Sequence, residues 1–199
     1  MNKELNIIVG GNGSGKSTFY YRYLAKLNLP FLNADELAKQ QWPDAPESHS
    51  YDAAKLVEQK RILSIATGLS FCFETVFSHP SKVDFIAKAK SQGYRINLFV
   101  IHIDASPDTN IARVANRITQ GGHSVPEDKI RERIPRMLRH VHLAVPLCET
   151  VSFYDNTSAN HGFKRVAVLQ ANKVLACRGD IPKWVADCVE HKYTQQVPF

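Results

Sequence analysis

Leu5-Asn6-Ile7-Ile8-Val9 runs directly into Gly10-Gly11-Asn12-Gly13-Ser14-Gly15-Lys16-Ser17. The first five residues form a short apolar run, as expected of a buried strand. The next eight fit GxxxxGK[ST] without a mismatch, and Gly15–Leu27 reads as a helix. A strand before and a helix after are the context that a phosphate-binding loop requires. The glycines let the backbone curl into a nest whose N–H groups face phosphate oxygens, and the helix N-terminus adds its positive end. Lys16 then reaches the β- and γ-phosphates as a point charge, and the Ser17 hydroxyl is a ligand for Mg²⁺. A glycine-rich turn before an ordinary helix is the plainer alternative, and motif and context together speak against it. The expected nucleotide-binding set is Gly10, Gly11, Asn12, Gly13, Ser14, Gly15, Lys16, Ser17 and Thr18, with ATP and Mg²⁺ as cofactors.

Downstream, strands and helices keep alternating. Pro30–Leu32 is a short strand, closed by Asn33-Ala34-Asp35-Glu36, which has the form of a helix cap with its partner. Residues 42–50 are a Pro- and Ser-rich loop, Tyr51–Ala66 a helix with Gly68 as its stop, and Leu69–Phe73 a strand ending at Glu74-Thr75. Ser81–Gln92 is a helix and Ile96–Ile103 a strand ending at Asp104. Ser106-Pro107 opens a helix over Asp108–Thr119. Ser124-Val125-Pro126-Glu127 matches a capping box before a helix interrupted near Pro135. Val151–Tyr154 and Arg165–Leu169 are late strands, and a helix follows Pro182. Such alternation is the pattern of an α/β domain with a mainly parallel sheet.

Composition sets the outer bounds. With 199 residues, 44% of them hydrophobic, the chain can bury one sizeable core, and one domain over 1–199 is expected. No apolar run approaches the ~20 residues of a membrane helix, so no membrane partner is expected. The N-terminal MNKELNIIVG reads as a strand and not as a signal peptide. The four cysteines form no CxxC pair, so reduced thiols and a cytoplasmic location are the expectation. A net charge of +6 fits an anionic substrate and equally fits weak nucleic-acid binding. Arginines gather at Arg113, Arg117, Arg131, Arg133, Arg136 and Arg139; any one of them could instead be a solvated helix residue.

Several nucleotide-dependent classes lose their signatures here. A GTPase needs Asn-Lys-x-Asp, and Asn172-Lys173-Val174-Leu175 lacks the aspartate. A transport ATPase needs a string such as LSGGQ, of which Gln120-Gly121-Gly122-His123 keeps only a glycine pair. A hydrolytic ATPase carries a glutamate after its strand-end aspartate, whereas Ala105 follows Asp104. Short length and the arginine-rich stretch fit a small kinase, in which lid arginines neutralise the transferred phosphoryl group. Such a kinase needs a carboxylate near the γ-phosphate, at the carboxyl ends of the strands. Asp35, Glu74 and Asp104 stand at such ends. Asp35 is either the base or a helix cap, and Glu74 either functional or a packed carboxylate. Asp104 either organises Mg²⁺ through water or caps the turn before Pro107.

GGNGSGKSTFY, NADELAKQQWP, FETVFS and RVANRITQGGHSVPEDKIRER, in that order, resemble the zeta toxin family, also called UDP-N-acetylglucosamine kinases. The matching strings run from about residue 5 to 157. The phosphate loop is generic; NADE with a downstream KQQxP, and GGHxVP after an arginine helix, are particular. The resemblance implies a P-loop kinase with a three-layer α/β sandwich and an arginine-rich lid at about 117–133. It implies phosphorylation of the 3′-hydroxyl of the amino sugar in a UDP-sugar, and a small antitoxin protein as partner, with nucleic acid not expected. By the same resemblance Lys16, Asp35 and Arg117 are catalytic, Asp35 as the base and Arg117 as the first lid arginine. Glu58, Glu74 and Thr75 hold the acceptor. Where the best-known branch has a second lid arginine, this chain has His123, mostly neutral at pH 7; Arg131 or Arg133 on the next helix takes over that charge. Asn156 is placed by position beside the adenine. Two rival readings stay open: a small P-loop kinase acting on a nucleotide, nucleoside or polyol, and a nucleic-acid-associated ATPase.

Overall fold

A computed structural model describes residues 3–119, 124–158, 162–171, 173–177 and 179–189. The elements follow in the order β1 (Glu4–Val9), α1 (Lys16–Phe19), β2 (Phe31–Leu32), α2 (Ala34–Gln41), α3 (Ser50–Thr67), β3 (Phe71–Thr75), α4 (Ser81–Ser91), β4 (Arg95–His102), α5 (Pro107–Ile118), α6 (Glu127–Ala144), β5 (Thr150–Asp155), β6 (Lys164–Gln170), β7 (Lys173–Cys177) and α7 (Lys183–Ala186).

One sheet carries the strands in the order β2-β3-β1-β4-β5-β6-β7. The pairs from β2 to β5 are parallel, and β6 and β7 close the far edge antiparallel. β1 is central and alternates its faces. Leu5, Ile7 and Val9 pack with Ile65 of α3, Ile86 of α4 and Met137 and Val141 of α6. Ile8 points the other way, to Phe19, Tyr20, Leu24 and Ile101. Helical segments therefore cover both faces, the three-layer α/β arrangement with a mainly parallel sheet that was expected. Among the described residues no helix is long and apolar enough to cross a membrane. Cys72, Cys148 and Cys188 are free and buried.

Several local expectations are corrected. The helix expected over Gly15–Leu27 is a single α turn, then a π segment at Tyr20–Leu24 and a 3-10 turn at Ala25–Leu27. The wider π turn lets the adjacent Phe19 and Tyr20 both reach the core, and Tyr20 stacks on Phe31 with ring centroids 3.6 Å apart. Pro135 does not interrupt its helix: α6 runs through it. Pro135 is exposed, on a face where water can satisfy the carbonyl one turn back. Ser124 is not the cap of α6, because the helix starts only at Glu127 and Pro126 occupies the cap position. Asn33 does cap α2, accepting from the N–H groups of Asp35 (2.8 Å) and Glu36 (3.3 Å). Glu36, however, accepts from the Tyr21 hydroxyl instead of completing the box. β3 extends through Glu74 and Thr75, and β7 was not expected at all.

Candidate active site

The register of the central strands assembles the site. Ile8 of β1 pairs with Glu74 of β3, and Val9 with Thr75. The phosphate loop leaves β1 at Gly10, whose N–H donates to the Thr75 carbonyl (3.3 Å). Glu74 and Lys16 thereby share the carboxyl end of the sheet. Asp35 arrives from farther out: β2 pairs with β3, not β1, and Asp35 sits in the first turn of α2.

The loop is a cradle that tolerates little besides glycine. Gly13 has φ 75° and Gly15 φ 96°, where side chains are strained. A Cβ on Gly13 would lie 2.6 Å from the Asn110 carbonyl oxygen, and one on Gly15 2.7 Å from Asn156 Nδ2. Two side chains tie the loop down. Asn110 Nδ2 donates to the Asn12 carbonyl (2.7 Å) and Asn156 Nδ2 to the Ser14 carbonyl (2.8 Å). Lys16 Nζ donates to the carbonyls of Gly10 (3.0 Å) and Gly11 (3.1 Å). Burial holds the Lys16 ammonium below its ordinary pKa; Glu74 and Asp35 pull it back up, while Arg117 and Arg133 push it down. All four charges thus converge on one ammonium.

Ser17 Oγ donates to Glu74 Oε2 at 2.9 Å. Burial raises the Glu74 carboxyl above the ordinary glutamate range, against the opposing pull of Lys16 and the Ser17 hydrogen bond. With its hydrogen committed to Glu74, the Ser17 oxygen keeps its lone pairs free. A hydroxyl beside a carboxylate is a hard oxygen pair that suits Mg²⁺, which also keeps waters and takes phosphate ligands.

Two cavities open on this centre. One, about 440 Å³, is lined by Gly13, Gly15, Lys16, Ser17, Thr18, Arg22, Glu74, Arg113, Arg117, Asn156, Gly162 and Phe163. The other, about 410 Å³, is lined by residues that include Asn12, Asp35, Thr75, Phe77, Ser78, His79, Lys82, Val125 and Arg133. Gly13, Lys16, Glu74 and Arg117 line both. Arg117 stands in the last turn of α5, exposed on the outside and facing both spaces.

The remaining expected residues are placed as follows. Gly10, Gly11 and Ser14 line neither cavity, and a Cβ on Gly10 would run into the Ile101 carbonyl oxygen. Arg133 reaches Asn12 Oδ1 (3.4 Å), whereas Arg131 is paired with Asp108; of the two, Arg133 is the one that faces the cavity. Glu58 is exposed and outside both linings, with its carboxylate 3.6 Å from Lys82 Nζ. Asp104 is exposed and lines neither cavity. His123 lies outside the described residues. Arg22, Phe163 and Asn110 were missed. Arg22 lies in the π segment and Phe163 just before β6, and neither belongs to a motif. Asn110 sits within an arginine-rich helix whose sequence drew attention to its charges.

Phe77 adds a conformational feature. It has φ 62°, unusual for a bulky side chain, and is fully buried. His140 Nδ1 donates to its carbonyl at 2.9 Å, fixing that ring nitrogen as the protonated one, because a carbonyl only accepts. Thr75 Oγ1 accepts from the Phe77 N–H (3.1 Å). The turn after β3 is thus held from both sides, and it forms a wall of the second cavity.

Residues 2–163 match the family model described as Zeta toxin. A relative from Haemophilus influenzae, described as an uncharacterized protein, is 29% identical over 124 residues, covering 62% of this chain and 87% of its own. Among solved structures, one from the PezAT chromosomal toxin–antitoxin system of Streptococcus pneumoniae superposes with a TM-score of 0.56 at 13% identity, covering 82% of this chain and 70% of that one. The native AvrRxo1-ORF1:-ORF2 complex gives 0.59 at 12% identity, covering 97% and 66%. The same pair solved with ATP gives 0.53 at 16% identity, covering 85% and 59%. At these identities the structural likeness speaks for the fold.

Proposed function

The chain belongs to the zeta toxin family, and from that premise we propose that it is an ATP- and Mg²⁺-dependent kinase whose acceptor is the 3′-hydroxyl of the amino sugar in UDP-N-acetylglucosamine or a related UDP-sugar. The observation that carries this reading is the meeting of two cavities at Lys16, Glu74 and Arg117. Two substrates can then lie on opposite sides of one transferred group. Support for ATP comes from the phosphate cradle and from the ATP complex of a structural neighbour.

In this mechanism ATP occupies the cavity that Ser17, Thr18, Asn156 and Phe163 line. The cradle N–H groups hold the phosphates, and Lys16 leaves the Gly10 and Gly11 carbonyls for the γ-phosphate. Ser17 and Glu74 would hold Mg²⁺, whose charge would offset that of the phosphates. Thr75 and Arg133 orient the acceptor; for Glu58 and His123 an acceptor role is carried by the sequence resemblance alone. The acceptor oxygen forms its bond to the γ-phosphorus as the bond to the β–γ bridging oxygen breaks. Asp35 takes the hydroxyl proton, and ADP is the leaving group. Arg117 faces both cavities, so it stabilises charge that develops between them. The whole chain acts as one kinase domain with its lid at about 117–133, in the cytoplasm, with a small antitoxin protein as partner.

The test is a screen of UDP-sugars, nucleosides, nucleotides and polyols with ATP·Mg²⁺, products identified by mass. Transfer to a UDP-amino-sugar supports the reading. Transfer only to a nucleoside or polyol overturns the acceptor and leaves the kinase. ATP turnover stimulated by DNA or RNA with steep salt dependence would favour a nucleic-acid ATPase instead.

A further inference from the structure

The charges that act on Lys16 are Glu74, Asp35, Arg117 and Arg133, all close to the transfer point. Lys82 lines the same acceptor cavity but answers to a different set, Arg61 and Glu58. Lys82 therefore brings a separate positive charge to the cavity wall, with Arg61 and Glu58 outside the lining. Lys82 occupies the first turn of α4, where the helix dipole disfavours a cation. Its side chain is only 22% exposed. Arg61, whose charge acts on Lys82, is buried, its guanidinium 4.9 Å from the centre of the Phe73 ring and 5.9 Å from that of Phe85. The Arg61 charge disfavours a second cation at Lys82, so an anion beside Lys82 is favoured. Glu58 fills that role only in part, because it is 55% exposed and 3.6 Å from Lys82, long for a hydrogen bond.

We infer that Lys82 is the specificity-determining residue that selects an anionic acceptor, a sugar joined to a phosphate or diphosphate, and that Glu58 is the partner Lys82 gives up when that anion enters. The inference rests on the acceptor cavity assigned above. It differs from what family resemblance implies for Glu58, which would then hold the lysine and not the acceptor. A phosphate oxygen offers Lys82 a shorter, more enclosed charge-assisted hydrogen bond than Glu58 does. A neutral sugar leaves the Lys82–Glu58 pair in place and gains nothing from it.

The experiment compares wild type with Lys82→Met, Lys82→Arg and Glu58→Gln. Calorimetry measures UDP binding with the nucleotide cavity filled by a non-hydrolysable ATP analogue and Mg²⁺. Kinetics measures KM and kcat for UDP-N-acetylglucosamine, or for whichever anionic acceptor the wild type uses. Lys82→Met keeps the aliphatic stem and should weaken UDP by about tenfold or more, the scale of one lost charge-assisted contact. KM should rise with kcat little changed, the mark of lost ground-state binding. Lys82→Arg should restore most of the affinity, and Glu58→Gln should tighten UDP. Equal UDP affinity in wild type and Lys82→Met overturns the inference, as does weaker UDP binding in Glu58→Gln. A wild type that prefers free N-acetylglucosamine to its phosphate esters also overturns it, with the kinase reading intact. Lys82-dependent UDP binding without any transfer would uphold the inference and overturn the kinase.

Discussion

The Ser17 hydroxyl donates to Glu74 Oε2 at 2.9 Å, joining the first turn after the phosphate loop to the end of the neighbouring strand. That contact commits the serine hydrogen and leaves the oxygen lone pairs free. Glu74 is held above the ordinary glutamate pKa chiefly by burial. Between the ordinary and the raised value the folded state binds more protons than the unfolded one. Stability therefore falls as pH rises through that window. Glu74→Gln should abolish this fall and should be at least as stable as wild type at neutral pH. Its transfer rate should drop, with a higher Mg²⁺ requirement. Melting temperatures against pH for both proteins check the first point, and Mg²⁺ titrations of turnover check the second.

Asn33, not Asp35, caps α2, so the capping alternative for the Asp35 side chain is gone. What is left to Asp35 besides catalysis is an exposed first-turn carboxylate, worth about 0.3–1 kcal/mol. Asp35→Asn should keep ATP binding and lower kcat by about 10² or more. An unchanged kcat would remove Asp35 from the proton path.

Arg117 lines both cavities, whereas Arg113 lines only the one with Ser17 and Arg133 only the one with Asp35. Arg117→Ala should lower kcat by about 10³ with little change in the ATP dissociation constant. Arg117→Lys should rescue poorly, lacking the planar fork that spans two oxygens. A kcat within a few-fold of wild type in both would hand the role to Arg113 or Arg133.

Asn110 is buried and donates to the Asn12 carbonyl at 2.7 Å. Asn110→Ala should cost about 1–3 kcal/mol of stability by leaving that carbonyl unpaired. The loosened cradle should weaken ATP more than the acceptor. Denaturant unfolding and separate dissociation constants check this. Equal weakening of both substrates would mean that Asn110 supports the fold and not the loop.

The phosphate loop, the alternation of strands and helices and the Asn33 cap were legible because each is local: the spacing itself states the geometry. Glu74 was legible as a strand end, but its bond to Ser17 depends on β3 lying beside β1, which only the sheet order settles. The π segment was not legible, since Tyr20–Leu24 forms it to bury neighbouring aromatics against strands far along the chain. Pro135 misled because its effect depends on the face it occupies, and here that face is solvent. Arg22, Phe163 and Lys82 carry no motif. They line the cavities through tertiary placement alone.

The central claim is that a phosphoryl group crosses between the two cavities at Lys16. Its most direct measurement is product mass after incubation with ATP·Mg²⁺ and UDP-N-acetylglucosamine, for wild type and for a folded Lys16→Ala protein. The account predicts one added phosphoryl group on the sugar nucleotide with wild type, ADP in equal amount, and neither product with Lys16→Ala. Near-normal transfer by folded Lys16→Ala would contradict it.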